Sequence, residues 1–325
     1  MFRYSEIFGI PRSYWNRHFR VTISIYIKNV LFISITYRRN YMDTQKLIAM
    51  LNRDFTDEHA AVIRYLVHAY QEGEDTPMGA SLLSRSREEM WHMHWLGMII
   101  CRLGGEPDLK PAPYPFDPTN RATILQSYVE YEEKLIPHYN TEADKIDDAH
   151  IRRVLQREAW ESAIHARRFE RLLGKLSPED AQSPVPAGDH ELPADFMETL
   201  QIELAGKYNE MLQHIRYSWM FQEEGMRGWQ LMDQSMEKMK HLALFAEAVA
   251  EDGAVPRLKL GEIDKSKAIG IALQRALEDV QASYARHLKL KDDAEFGKHG
   301  GLVMKMDLTL DQEQYQAEEI EDWLK

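Results

Sequence analysis

An all-α protein built from two tandem four-helix bundles is the fold this sequence predicts, and three observations predict it. From Met42 onward, apolar residues recur at three- and four-residue spacing with few alternating runs, which is the helical period. Glu58 and Glu210, 152 residues apart, are each followed at plus five, six and seven by Ile-Arg-Tyr, within DEHAAVIRYLVHAYQEG and NEMLQHIRYSWMFQEEG. Between the two copies, residues 177–194 hold Pro178, Pro184, Pro186 and Pro193 and almost no apolar periodicity, the composition of a linker.

Four helices are expected in each half. The first covers residues 44–71 and stops in GEDTPMG, where Gly73, Pro77 and Gly79 break it. The second covers 80–103 and is closed by Gly104 and Gly105 with Pro107 beyond. PAPYPFDP separates it from a third over 121–146, where Pro137 introduces a kink. Asp147 and Asp148 cap a fourth that ends near Gly174. The second half repeats the plan over 195–224, 228–251, 265–290 and 310–324. Apolar stripes on antiparallel helices bury one another best as a bundle, giving bundles over 42–176 and 195–325 with 177–194 between them.

At 325 residues the chain is long enough for two cores. Its net charge of -12 argues against a nucleic-acid footprint. Cys101 is the single cysteine, which excludes internal disulfides and all-cysteine metal sites and points to a reducing, cytoplasmic setting. Residues 1–41 differ from the rest, with seven Lys or Arg against Glu6 alone. Their apolar stretch, 21–36, is only sixteen residues long and is interrupted by Lys28, too short to span a bilayer. This segment is expected to lie outside the fold, with Met42 as the natural start; a targeting or membrane-surface role is the alternative.

Acidic and imidazole side chains recur inside the apolar pattern of the first half. Glu58 lies in the first helix, Glu89 and His92 form Glu-x-x-His on the second, Glu130 lies in the third, and Glu161 and His165 lie on the fourth. Three or four residues is about one turn, so each Glu/His pair projects from one helix face. Four carboxylates and two imidazoles are hard and borderline donors for two divalent ions, whose charge four carboxylates neutralise. Tyr65 and Tyr217 read as core residues, and Met93, His94 and Trp95 as packing.

This constellation resembles the ferritin-like di-iron carboxylate proteins, a group that includes bacterioferritin and rubrerythrin. LNRDFTDEHAAVIRY looks like the bacterioferritin first helix, with Glu58 at the ligand position. REEMWH with the LGGEP exit looks like its second helix, with Glu89 and His92 as ligands. HARRFERLL, from His165, is similar to the end of the rubrerythrin metal helix. The resemblance covers most of residues 44–175. It implies a ferritin-like bundle holding two iron ions, with manganese also compatible, that reacts with oxygen or peroxide as a ferroxidase or peroxidase of the rubrerythrin kind. A di-iron oxygenase or hydroxylase acting on a small molecule is the alternative within the family, and a non-catalytic iron-binding or interaction protein is the alternative outside it. A single cysteine cannot build the four-cysteine module that rubrerythrins usually carry, so electrons come from a separate donor or from iron itself. The expected assembly is a homodimer or an intrachain pairing of the two bundles.

The family spacing puts the fourth-helix glutamate at position 162, which is Ser162 here. Glu161 and, one turn earlier, Glu158 both remain candidates, as do Glu88 and Glu89 on the second helix. Aligning the halves matches Glu58 with Glu210, Glu88 with Glu237, His92 with His241, Glu130 with Glu278 and Glu158 with Glu313. Glu89 then becomes Lys238, Glu161 becomes Gln316 and His165 becomes Ile320. A lysine ammonium repels a cation, so the second half is expected to bind metal weakly or not at all.

Overall fold

A computed structural model describes residues 42–185 and 192–325 of the chain. Among the described residues the protein is all-α, with no strand. The expectations for residues 1–41 lie outside the described residues.

Helix α1 (Thr44–Glu72) starts at Asp43, whose carboxylate accepts from the backbone N–H groups of Gln45 and Lys46. It stops at Gly73, whose φ of 82° suits glycine. Helix α2 (Pro77–Arg102) begins three residues earlier than expected. Pro77 occupies the first helical position, where its missing N–H costs nothing, and the Thr76 hydroxyl caps Gly79. Helix α3 (Arg121–Ala143) opens with a reciprocal capping box between Asn120 and Thr123 and carries Pro137 inside it. Asp148 caps α4 (Ala149–Leu173), as the acidic pair predicts. Within the expected linker lies the short α5 (Pro178–Gln182).

In the second half α6 spans Ala194–Met220, α7 Met226–Glu251 and α8 Ile269–Lys291. Helix α9 (Gly300–Leu324) starts ten residues before the expected position. Gly300 and Gly301 read as a break, yet the buried Met306, Thr309 and Leu310 supply an apolar face that holds the extra turns.

The helices pack in pairs, α1 with α2, α3 with α4, α6 with α7 and α8 with α9, while α1 also meets α7 and α2 meets α6. Residues 41–325 form a single compact unit. The reason is a continuous apolar core that runs from Phe55, Leu96 and Ile100 to Leu204, Leu212, Trp219 and Leu242. Trp219 on α6 stands edge-on to Phe55 with ring centroids 5.6 Å apart and donates its indole N–H to His94 at 3.0 Å. Gly97 on α2 makes room for it, since a Cβ there would lie 2.6 Å from the indole. Tyr208 and His59, both buried, add a 2.6 Å hydrogen bond across the same contact. Among the described residues no helix is long and apolar enough to cross a membrane.

Candidate metal centre

Each helix of the first half sends at least one ionisable side chain into the space between α1, α2, α3 and α4. Glu58 comes from α1, Glu89 and His92 from α2, Glu132 from α3 and His165 from α4, and none is more than 2% exposed. Their donor atoms form two three-residue groups, Glu58–Glu89–His92 and Glu89–Glu132–His165, with the atoms in each group within 4.8 Å of one another. Glu89 belongs to both. One of its oxygens, Oε2, lies 2.7 Å from His92 Nδ1 and the other, Oε1, lies 2.7 Å from His165 Nδ1. The two imidazoles are nearly parallel, with centroids 6.2 Å apart. A carboxylate shared in this way is the shape of a bridging ligand between two cations.

The outward nitrogens of the same histidines meet a second pair of carboxylates. His92 Nε2 lies 2.7 Å from Glu161 Oε2, and Arg157 donates to the other Glu161 oxygen at 2.8 Å. His165 Nε2 lies 2.6 Å from Glu88 Oε2, and Arg85 donates to the other Glu88 oxygen at 2.8 Å. Thus Glu161 on α4 holds the histidine of α2, and Glu88 on α2 holds the histidine of α4. Such partners fix ring orientation and leave Nδ1 directed inward. Tyrosines hold the inner carboxylates in the same crossed manner: Tyr65 on α1 donates to Glu132 of α3 at 2.6 Å, and Tyr139 on α3 donates to Glu58 of α1.

Glu58, Glu89, His92 and His165 therefore lie together as the sequence predicts. Glu130 does not join them. It is exposed, bonds Gln126 on its own helix and borders a surface pocket with Lys134, because two residues along a helix turn the side chain by about 200° from the inward face that Glu132 occupies. Glu161 is also displaced from the expected ligand role, since it reaches His92 from the outside. The ambiguity at the second helix resolves as Glu89 inside and Glu88 outside. Glu158, the reserve on the fourth helix, is fully buried, with no hydrogen-bond partner for either oxygen. One signal marks Glu132 in the sequence: a tyrosine follows it at plus seven, as Tyr65 follows Glu58 and Tyr217 follows Glu210.

Burial raises the pKa of every carboxylate here, and neighbours decide the outcome. Burial dominates at Glu58, which is pushed up to about 8, and at Glu132 and Glu158, which are also raised. At Glu89 burial is outweighed by His165 and His92, which hold it well below the usual range. Burial would lower both histidines. The carboxylates Glu58 and Glu89 instead hold His92 well above its ordinary value, and Glu89 and Glu132 do the same for His165. Without a bound cation, burial thus favours the neutral form of Glu58, Glu132 and Glu158, and the neighbouring carboxylates favour the charged form of both imidazoles.

The second half places different chemistry at the matching positions. Lys207, fully buried on α6, directs its ammonium at Glu210 Oε2 (2.7 Å), Ser283 Oγ (2.5 Å) and Glu313 Oε1 (2.5 Å). Lys238, the counterpart of Glu89, bonds Gln316 at 3.1 Å and stands 3.6 Å from Glu210. His287 lies between Glu313 and Glu203, with contacts of 3.0 and 3.4 Å. Two fixed ammonium groups accordingly counter the carboxylates, and among the described residues every group with metal-ligand spacing lies in the first half. Glu278, like its counterpart Glu130, is exposed and pairs with Arg275 on its own helix.

No protein-family model, curated protein or solved structure matches the chain.

Proposed function

We propose that helices α1–α4 form a ferritin-like four-helix bundle that binds two divalent transition ions, iron first and manganese as the alternative, and reacts with oxygen or peroxide. Helices α6–α9 are then a second bundle of the same plan that has lost its ions, and residues 177–194 join the two. The observation that carries this reading is Glu89, whose two oxygens each meet the inward nitrogen of a different buried histidine.

The donor set fits two cations. Glu89 Oε1, Glu132 Oε2, both Glu158 oxygens and His165 Nδ1 are buried atoms without a hydrogen-bond partner, although Glu89 Oε1 and His165 Nδ1 lie only 2.7 Å apart. Buried donor atoms that converge on one space are what ligands of a common ion present. Glu58, Glu89, Glu132 and Glu158 carry the charge needed to neutralise two dications, which makes the cluster tolerable in a core. Glu58, Glu89 and His92 would hold one ion and Glu89, Glu132 and His165 the other. The donors are imidazole nitrogen and carboxylate oxygen, the preference of iron and manganese rather than of soft metals.

Ferrous ions held by these residues would supply two electrons to an oxidant. The chain supplies the surroundings. Glu161 and Glu88 orient the histidines, Tyr65 and Tyr139 hold the inner carboxylates by hydrogen bonds and can pass a proton to them, and the aromatic rings of Tyr128 and Phe169 beside Tyr65 exclude water. Ser162, buried, stands where the family spacing expects a fourth-helix carboxylate, and the unpartnered Glu158 lies one turn before it.

Metal content and the optical spectrum of the ferrous protein under oxygen and under peroxide test the proposal. We expect two ions bound in this centre and an absorption change on exposure to oxidant. Glu89→Ala should lose both ions and Glu132→Ala at least one. Full loading of Glu89→Ala would overturn the assignment.

A further inference from the structure

A third group of donors lies outside this centre. Asp54 on α1 faces His138 and Glu142, one turn apart on α3, and their donor atoms all lie within 4.8 Å of one another. His138 Nε2 is 2.9 Å from Asp54 Oδ1 and 3.7 Å from Glu142 Oε2. An ion pair between His138 and Asp54 accounts for only part of this. Asp54 is fully buried and its Oδ2 has no hydrogen-bond partner, and Glu142 Oε2 is a second buried oxygen without one. Two ligands bound at 2.0–2.3 Å stand at most about 4.6 Å apart, so the three residues need only a small contraction to share an ion.

We propose that Asp54, His138 and Glu142 form a third divalent-cation site, separate from the two-ion centre, that receives metal from solvent. The mixed nitrogen and oxygen donors suit Mn2+, Fe2+ or Zn2+. Its histidine is 38% exposed at the side chain, whereas those of the centre are 0% exposed, so a hydrated cation meets this group first. It is also adjacent to the centre. Asp54 precedes Glu58 by one helical turn, and Tyr139, next to His138, donates to Glu58. Glu158, buried and without a partner, interacts electrostatically with both Asp54 and Glu58. An ion leaving the outer site therefore has carboxylate oxygens on its inward side. Arg53, whose guanidinium lies 3.4 Å from Glu142 Oε1, is exposed and can swing away as the cation arrives.

Equilibrium binding of Mn2+ to the full-length, chelator-stripped protein is the test, with anomalous diffraction from Mn2+-soaked crystals to place the ions. We expect three ions per chain in the wild type and two in both Asp54→Asn and His138→Ala, with circular dichroism confirming that each variant is folded. Glu89→Ala should retain one ion, at Asp54. If the two-ion centre fails to bind but the outer site is real, the wild type takes up a single ion and His138→Ala none. Unchanged stoichiometry in both outer-site variants, or no anomalous peak beside Asp54 Oδ2, overturns the proposal.

Discussion

The two halves answer one electrostatic problem in opposite ways. Each buries a cluster of carboxylates between helices. In the first half the compensating charge is left to histidines and, as proposed, to exchangeable ions; in the second it is covalent, as Lys207 and Lys238. The difference teaches that Glu210 and Glu313 persist as partners of an ammonium and that a conserved-looking carboxylate between two halves need not keep its role.

The largest effect expected from breaking this contrast is at Lys207. Replacing it with methionine leaves Glu210 and Glu313 buried without their main cation, and removal of one partner from a buried ion pair costs roughly 3–5 kcal/mol. Chemical denaturation near neutral pH measures this, and a loss under about 1 kcal/mol would show that Lys238 and Arg286 suffice. In the same variant, Mn2+ uptake by the second half would show that the ammonium alone excludes the ion.

Next in size is the pH response, where the halves should diverge. In the metal-free protein Glu58 is raised to about 8 and both histidines are raised, so these three groups hold protons more firmly in the folded first half than in the unfolded chain. These groups contribute stability that is fully present below their unfolded values and is lost as pH rises through the raised ones, whereas Glu89, held low, contributes stability that is lost in acid. Glu313 in the second half is depressed to about 2 by His287 and Lys207, which outweigh burial, and its contribution is present above pH 4.5 and lost as pH falls toward 2. Metal binding must displace the protons of the first centre, so its affinity should drop as pH falls through about 8, where Glu58 takes up its proton, with proton release on loading. Calorimetry in buffers of different ionisation enthalpy reads that release, and an uptake free of protons would contradict the assigned charge state.

The smallest effects separate neighbours on one helix. Glu161→Gln should weaken metal binding by about 10–100-fold through its hold on His92. Glu130→Ala should leave metal binding unchanged and alter stability by no more than about 0.5 kcal/mol. Equal losses from the two would mean that the surface position of Glu130 is wrong.

The helix plan was readable because its signals are local: proline, glycine and acidic caps sit at or near the observed ends of α1 to α4. The start of α9 was not, because Gly300 and Gly301 look like a break until the buried Met306 and Leu310 are seen. Among the site residues, Glu58, His92 and His165 are legible in the spacing and the family resemblance, which leave Glu88 and Glu89 as alternatives on the second helix. Glu130 lies inside the third helix and matches Glu278 when the halves are aligned, but both lie on solvent-facing stripes. Face, not register, decides ligation, and Tyr139 seven residues beyond Glu132 carried that information. Lys207 had no such mark, since its role appears only when Ser283 and Glu313 arrive from distant helices.

Trp219 gives the second half a bearing on the carboxylate and histidine cluster of the first. Its ring occupies the hollow left by the absent side chain of Gly97 and its N–H engages His94, two residues from His92. Sliding α2 by a single residue would carry that hollow about 1.5 Å along the axis and turn it by about 100°, driving the helix surface into the indole. Trp219 thereby acts as an indexing pin, fixing the axial setting of the helix that carries Glu89 and His92.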